Sequence, residues 1–244
     1  MSARHIAIIP ARAGSKSIKN KNLIKLPDQR GETITRIACE SAMRSGIFSH
    51  VVLTTDIPKQ KIYLDDIKSG ATALTKFEVL KRPGNLCIDT ALMIDVVNHA
   101  MNAIGNGYEY VWILQPTAPI REKKDFEAIR RLMESGEFGC VISFKPKKEA
   151  LERSYTVTKN EETGAFLAHP LKYSSYDNRQ DLKPAWERSG NFYVTSRELI
   201  REHNRLENQP ICCYPVSRAK GSNIDDKEDL ALLKHHLSYG TVKV

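Results

Sequence analysis

The chain predicts an α/β fold built on a mostly parallel sheet flanked by helices. Three observations carry this expectation. The run His5-Ile6-Ala7-Ile8-Ile9-Pro10 is a short apolar stretch suited to a strand buried on both faces. Similar apolar runs then alternate with segments of helical spacing over the first 145 residues. Finally, the first strand empties into Ala11-Arg12-Ala13-Gly14-Ser15-Lys16-Ser17-Ile18-Lys19-Asn20-Lys21-Asn22, and in parallel sheets ligands gather at the carboxyl ends of strands.

In chain order, Ile34, Ile37, Ala38 and Ala42 fall at helical spacing and Gly46 stops that helix. Val51 to Thr54 forms a second strand ending at Thr55-Asp56. Asp89 is placed to cap a helix whose Leu92, Val96, Ala100 and Ile104 form one stripe. Tyr110 to Leu114 is a third strand. Phe126, Ile129, Leu132 and Met133 make a helix face, and Cys140 to Ser143 a fourth strand. From about Lys145 to Arg188 the character changes to β-prone pieces, Tyr155 to Thr158 and Phe166-Leu167, set among charged and turn-forming residues. Such an excursion cannot easily bury itself, which suits an arm packed on a second subunit; the plain alternative is a surface loop. The expected division is a core of 1–144 and 189–244 with an inserted arm of 145–188. The chain returns with a strand at Asn191 to Thr195, a short strand at Ile211 to Tyr214, and a last helix carrying Leu230, Leu233 and Leu237.

A chain of 244 residues with 41% hydrophobic and 27% charged residues is ordinary for a globular protein. No stretch approaches the ~20 apolar residues of a membrane span and no leader is visible, so the cytoplasm is expected. The five cysteines show no metal-binding spacing and are expected as reduced thiols. A net charge of +8 calls for an acidic partner. With neither zinc-finger spacing nor an aromatic-rich RNA-binding signature, a small polyanion is preferred to nucleic acid or a membrane.

The basic loop holds five cations between Arg12 and Lys25, with no carboxylate before Asp28. That field, with backbone N–H groups around Gly14, suits a polyphosphate; a solvated basic turn is the alternative. Neither a Gly-x-x-x-x-Gly-Lys-Ser/Thr loop nor a Gly-x-Gly-x-x-Gly after a strand is present, which disfavours P-loop ATPases and ordinary dinucleotide dehydrogenases. Three more segments fall at expected strand ends. In Gln115-Pro116-Thr117-Ala118-Pro119-Ile120-Arg121 the prolines fix a turn and leave the Gln115 amide facing the cleft, unless the turn is only a rigid connection. Lys81-Arg82-Pro83 with Asp89-Thr90-Ala91 offers a cation and backbone groups near a helix start. In Asn223-Ile224-Asp225-Asp226, alternation puts Asn223 and Asp225 on one side, where their oxygens could hold Mg²⁺ while Asp226 caps the helix; capping alone is the alternative.

Taken together, Ile9 to Lys16 with Lys19 to Asn22, Leu114 to Arg121, Asn178-Arg179-Gln180-Asp181, and Ile224-Asp225 before Glu228-Asp229-Leu230 resemble the CMP-N-acylneuraminate synthetases, in that family's order and over nearly the whole chain. The resemblance implies a Rossmann-like nucleotidyltransferase sheet with a small β-rich dimerisation arm. It also implies a Mg²⁺-dependent, homodimeric enzyme that joins CTP to an acidic nine-carbon sugar and releases pyrophosphate. Carried over by position, Arg12, Ser15, Lys16 and Lys21 would hold the triphosphate, with Ala11 and Gly14 in the same loop. Asn22, Arg82 and Thr90 would hold the cytidine. Gln115 would contact the sugar, and Arg179, from the arm, its carboxylate, with Arg153 and Arg188 as further arm cations. Arg12, Lys21 and Asp225 would serve the reaction, with Asp225 and Asn223 on the metal.

The chain departs from that family at three places. Asn223-Ile224-Asp225 stands where Asp-x-Asp is usual, so one formal charge is missing; Ser189 replaces an Asn before Gly190; and Leu92 follows Asp89-Thr90-Ala91 where small hydroxyl residues are common. Three other readings fit the same residues: the same chemistry on an eight-carbon acidic sugar or another acceptor, a nucleic-acid-binding basic protein, and an inactive relative that only binds CTP.

Overall fold

The computed structural model describes residues 4–27, 32–62, 75–105, 107–172 and 182–242. Strand β1 (His5–Ala11) buries both faces, because Ile6 and Ile8 point to one side of the sheet while Ala7, Ile9 and Ala11 point to the other. It pairs in parallel with β2 (Phe48–Thr55) and β4 (Tyr110–Ile113). β3 (Lys76–Lys81) adds a parallel edge next to β2. Beyond β4 lie β8 (Trp186–Ser196), β5 (Cys140–Pro146) and β9 (Cys212–Pro215), giving the order β3-β2-β1-β4-β8-β5-β9. Among the strands of this sheet β8 alone runs antiparallel to its neighbours.

Helices α1 (Ile34–Ser45) and α4 (Lys123–Glu134) cover one face. Thr33 caps α1 by accepting from the Arg36 N–H, and Gly46 ends it at φ 74°, as expected of a left-handed C-cap. Under α4, Trp112 stacks on Phe126 at 5.9 Å and Phe192 meets Phe126 edge-on at 5.1 Å. On the other face α3 (Met93–Ile104) and α5 (Arg197–His203) pack on Ile6, Ile8, Val111 and Ile113. A short α2 (Lys59–Ile62) follows β2. α6 (Lys227–Ser238) has the expected Asp226 cap, doubled into a capping box with Asp229, and seats Leu233 beside Ile120 and Ile224. Strands β6 (Tyr155–Lys159) and β7 (Phe166–Pro170) form a separate antiparallel hairpin, exposed along its whole length. No described helix is long and apolar enough to cross a membrane.

The structure corrects the sequence expectation at α3. Asp89 does not cap it: the helix starts at Met93, and Leu92, at the N-cap position with no oxygen to offer, is 63% exposed. The buried stripe is Val96, Val97, Ala100 and Met101. Asp89 turns back instead to two cations of the loop after β1, a stronger attraction than a neutral cap. β3 and α5 were not expected. β3 is half-exposed with charges at both ends, and α5 has only seven residues, too short for a clear period.

His5 is 1% exposed, and its Nδ1 accepts from Trp112 Nε1 at 3.0 Å while Nε2 faces Glu134 at 3.0 Å. Protonation would set a ring N–H against the indole N–H. Burial lowers its pKa, opposed by Glu134, so the folded chain keeps His5 neutral to lower pH than the unfolded chain, which titrates near the ordinary value of about 6.5. The stability this provides is complete above that value and lost as pH falls below it. The urea midpoint is therefore expected to drop between pH 7 and 5, with a shallower slope in His5→Gln; equal slopes would refute this account.

Candidate active site

The loop after β1 is shaped by its own backbone and by two distant acids. Ser15 N–H closes a tight turn on the Ala13 carbonyl at 3.1 Å, and Asn20 sits in the left-handed region at φ 57°. Ala13 N–H donates to Asp56 Oδ1 at 2.7 Å, at the carboxyl end of β2. Asn22 is buried and donates from Nδ2 to the Arg12 carbonyl at 2.9 Å, so it braces the loop from beneath. Arg12 donates from Nη1 to the Cys87 carbonyl at 3.2 Å and from Nη2 to Asp89, while Lys16 Nζ lies 2.5 Å from the other Asp89 oxygen. Lys16 first and Arg12 second hold the Asp89 carboxyl below its usual pKa. A side chain at Gly14 would meet open space, so the backbone there is approachable.

A second cluster joins both ends of the chain. Lys21 donates from Nζ to the Asp225 carbonyl at 2.8 Å and lies 3.7 Å from its carboxylate. Asn223 and Asp225 do face one way, with Asn223 Nδ2 donating to Asp225 Oδ2 at 2.7 Å. Asn223 Oδ1 is buried with no hydrogen-bond partner. A carbonyl oxygen left unpaired beside an exposed carboxylate fits one flank of a hard-cation site. Among the described residues no group of three or more His, Cys, Asp and Glu could hold a metal alone, so further ligands would have to come from a bound anion and water.

The third cluster is built by a bulge. Between Ile142↔Tyr193 and Phe144↔Arg188 the β5–β8 register slips, and residues 189–192 arch away from β5. Ser143 fills the gap: its Oγ accepts from Phe192 N–H at 2.9 Å and lies 2.7 Å from Ser189 Oγ, both serines fully buried. Ser189 is thus a brace under the bulge. Gly190 takes φ +79°, and a Cβ there would come within 3.1 Å of Gln115 Oε1 and 3.4 Å of Asn223 Oδ1. Glycine lets those two side chains converge.

Arg121 locks these pieces. It is 6% exposed, donates from Nε to the Asn191 carbonyl at 2.9 Å and from Nη2 to the Gln115 carbonyl at 2.7 Å, and burial lowers its pKa to about 9. Asn191 Nδ2 donates to the Ile120 carbonyl at 2.8 Å, and Ile224 N–H to the Thr117 carbonyl at 2.8 Å. Beside Gln115 opens a cavity of about 590 Å³, reached by Arg188, Tyr193, Leu92 and Leu206.

Arg12, Asn22, Lys16, Lys21, Gln115, Asn223 and Asp225 therefore sit in linked clusters at the ends of β1 and β4 and around the bulge. Arg82 is 5% exposed, with Nη2 on the Thr54 carbonyl at 2.7 Å, and Thr90 is exposed next to Asp89. Arg179 lies outside the described residues. Sequence reasoning missed Asp56, whose only signal was its place after β2, and the cavity wall from Tyr193, Leu206 and Glu207, for which spacing offered none.

A family model described as cytidylyltransferase matches residues 6–208. The chain is 26% identical over 233 residues to the N-acylneuraminate cytidylyltransferase of Escherichia coli, which covers 95% of this chain and 52% of that protein, so it spans about half the length of that relative. It is 27% identical over 234 residues to the pseudaminic acid cytidylyltransferase of Campylobacter jejuni, covering 95% of both. Its fold matches that of a CMP:2-keto-3-deoxy-manno-octonic acid synthetase complexed with CTP, at a TM-score of 0.65 and 16% identity, covering 98% of this chain and all of that one.

The Asp89 carboxylate competes with any anion for Arg12 and Lys16. These groups are exposed enough for solvent to screen the contact, so releasing it changes anion affinity only a fewfold. Asp89→Asn is expected to bind inorganic pyrophosphate about two- to fivefold more tightly in calorimetric titration; weaker binding would show that Asp89 supports the loop instead of blocking it.

Proposed function

The chain belongs to the cytidylyltransferase family, and from that premise we propose that it joins CTP to a nonulosonic acid, giving the CMP-sugar and pyrophosphate. The observation that carries this reading is the contact between Lys21 and Asp225, 204 positions apart in sequence. It brings the cationic loop after β1 to the Asn223–Asp225 pair, and that pair meets Gln115 across Gly190 beside the cavity. A phosphate-binding half and an acceptor-binding half thus share one boundary.

Both substrates are anions, and fixed cations are needed to bring them together. Arg12, Lys16 and Lys21 receive the triphosphate, with backbone groups of Ala11, Gly14 and Ser15 lining its path. Asn22, Arg82 and Thr90 serve the cytidine side: Asn22 and Arg82 shape it from within, and Thr90 borders it. Gln115 orients the sugar in the cavity, with Arg188 nearby for the carboxylate and Arg179 of the arm as a second cation. The anomeric oxygen forms a bond to the α-phosphorus as the bond to the β-phosphate oxygen breaks, pyrophosphate departs with that oxygen, and the hydroxyl proton passes to solvent. Arg12 and Lys21 stabilise the charge that grows on the departing pyrophosphate. Asp225 and Asn223 would hold Mg²⁺, whose chemistry is to neutralise phosphate charge. Asn contributes no formal charge, so the site leans on the nucleotide for affinity.

We place the enzyme in the cytoplasm as a homodimer. All five cysteines are free, in keeping with a reducing compartment. The β6–β7 hairpin supports a dimer: Tyr155, Val157 and Phe166 are 55%, 62% and 73% exposed, and an isolated two-stranded ribbon is marginal without something packed on it.

Incubation with CTP, Mg²⁺ and a panel of eight- and nine-carbon acidic sugars is expected to release pyrophosphate with at least one nine-carbon acid. Release with none, or with an eight-carbon acid alone, would sink the reading. Lys21→Ala is expected to lower kcat about a hundredfold, the cost of losing one preorganised cation at about 3 kcal/mol. Adding the missing charge by Asn223→Asp is expected to lower the Mg²⁺ concentration for half-maximal rate severalfold; an unchanged requirement would exclude Asn223 from the metal site.

A further inference from the structure

Arg121 carries a charge that its surroundings do not fully answer. Nε and Nη2 are spent on the Asn191 and Gln115 carbonyls, and the third nitrogen, Nη1, is buried without a hydrogen-bond partner. The residue is 6% exposed. Nearby Asp125 attracts it, but that carboxylate already receives Lys220 Nζ at 2.8 Å, the Tyr214 hydroxyl at 2.9 Å and the Glu122 N–H at 2.9 Å. A buried cation with a spare donor and no anion bonded to it draws an anion.

The same residue lines a cavity of about 160 Å³ on the α1–α4 face of the sheet. Ile37, Pro119 and Phe126 give this cavity apolar walls, while Arg44 of α1 and Lys123 of α4 bring two more cations. Lys123 is the first residue of α4, at the positive end of that helix's dipole. The acid that lines the cavity is Glu32, which lies 3.4 Å from Arg36 Nε; Arg44 is paired with Glu40 on the helix surface. The Ser41 and Ser45 hydroxyls donate to the Ala38 and Ala42 carbonyls at 2.9 and 2.7 Å, so neither has a proton left for a guest. The donors that remain are the cations, and they outnumber the acid.

Drug-sized ligands occupy cavities of about 300 Å³ or more, so this one is too small for a nucleotide or a sugar. It suits a single small oxyanion, whose several oxygens can meet a guanidinium and an ammonium together. We propose that the cavity is a second anion site, for an inorganic oxyanion of the phosphate class, with Arg121 at its base and Arg44 and Lys123 at its rim. Nη1 is closed off from solvent, so the guest answers the guanidinium through its charge, which apolar walls leave little screened. Because that guanidinium also holds the Gln115 and Asn191 carbonyls, an anion seated here steadies the Gln115 side of the cleft.

The test reads binding alone and is independent of cytidylyl transfer. Inorganic phosphate is titrated calorimetrically, at an ionic strength held constant with chloride, into the full chain carrying Arg12→Ala and Lys16→Ala, which weakens the loop after β1 as a competing site. Saturable binding is expected, and adding Arg44→Ala with Lys123→Ala is expected to weaken it at least about tenfold, the scale of one lost charge-assisted hydrogen bond. Unfolding temperatures show that each variant folds. Hydrogen exchange of the unaltered chain locates the site without substitutions: phosphate is expected to slow exchange in residues 32–45 and 119–126, which frame the cavity. No saturable binding, protection confined to other segments, or an affinity unmoved by loss of both rim cations overturns the inference.

Discussion

A single buried guanidinium holds the Gln115 side of the cleft in shape. Among the described residues no carboxylate is bonded to Arg121; it spans two backbone carbonyls, one on the turn after β4 and one on the bulge of β8. Burying a cation without a matched anion is costly, and the cost shows in its lowered pKa. The ring of Phe192, 5.7 Å below the guanidinium carbon, offers a π face in partial compensation. What the arrangement secures is position: Gln115 and Asn191 cannot drift apart while Arg121 lies between them. Asn191 and the Thr117 carbonyl then extend the same lattice of bonds to residues 220–224. The convergence of Gln115 with Asn223 follows from main-chain contacts, which tolerate changes of side chain around them.

The loop after β1 is organised differently. There the cations are partly exposed, and their order comes from acids on the segments that follow neighbouring strands: Asp56 on the Ala13 N–H, Asp89 on Arg12 and Lys16. A carboxylate in this position resembles a phosphate oxygen in charge and geometry. The loop is thereby held near a shape that suits an anion, at the cost of competition from an anion of its own.

Local chemistry made much of this legible from sequence. The β1 run, the Gly46 stop, the Asp226 cap and the pairing of Asn223 with Asp225 each depend on residues within a few positions of one another, and each was found. What failed depended on distant partners. Asp89 is a good cap by local rules, but Arg12 lies 77 positions away in sequence and wins it. β3 is recognisable only as a partner of β2, since its own pattern is half charged. The cavity draws Leu92 and Leu206 from distant segments of the chain, and nothing in their spacing announces that.

The direction of β8 has a consequence for how such a protein can change. A strand that enters the sheet against its neighbours begins at the end where they finish, so the excursion between β5 and β8 leaves and rejoins the sheet at the rim of the cleft. Lengthening, shortening or re-decorating that excursion alters the cleft's entrance, and none of its described residues is buried. The architecture thus separates what must stay fixed to keep the chain folded from what can vary to admit a new guest.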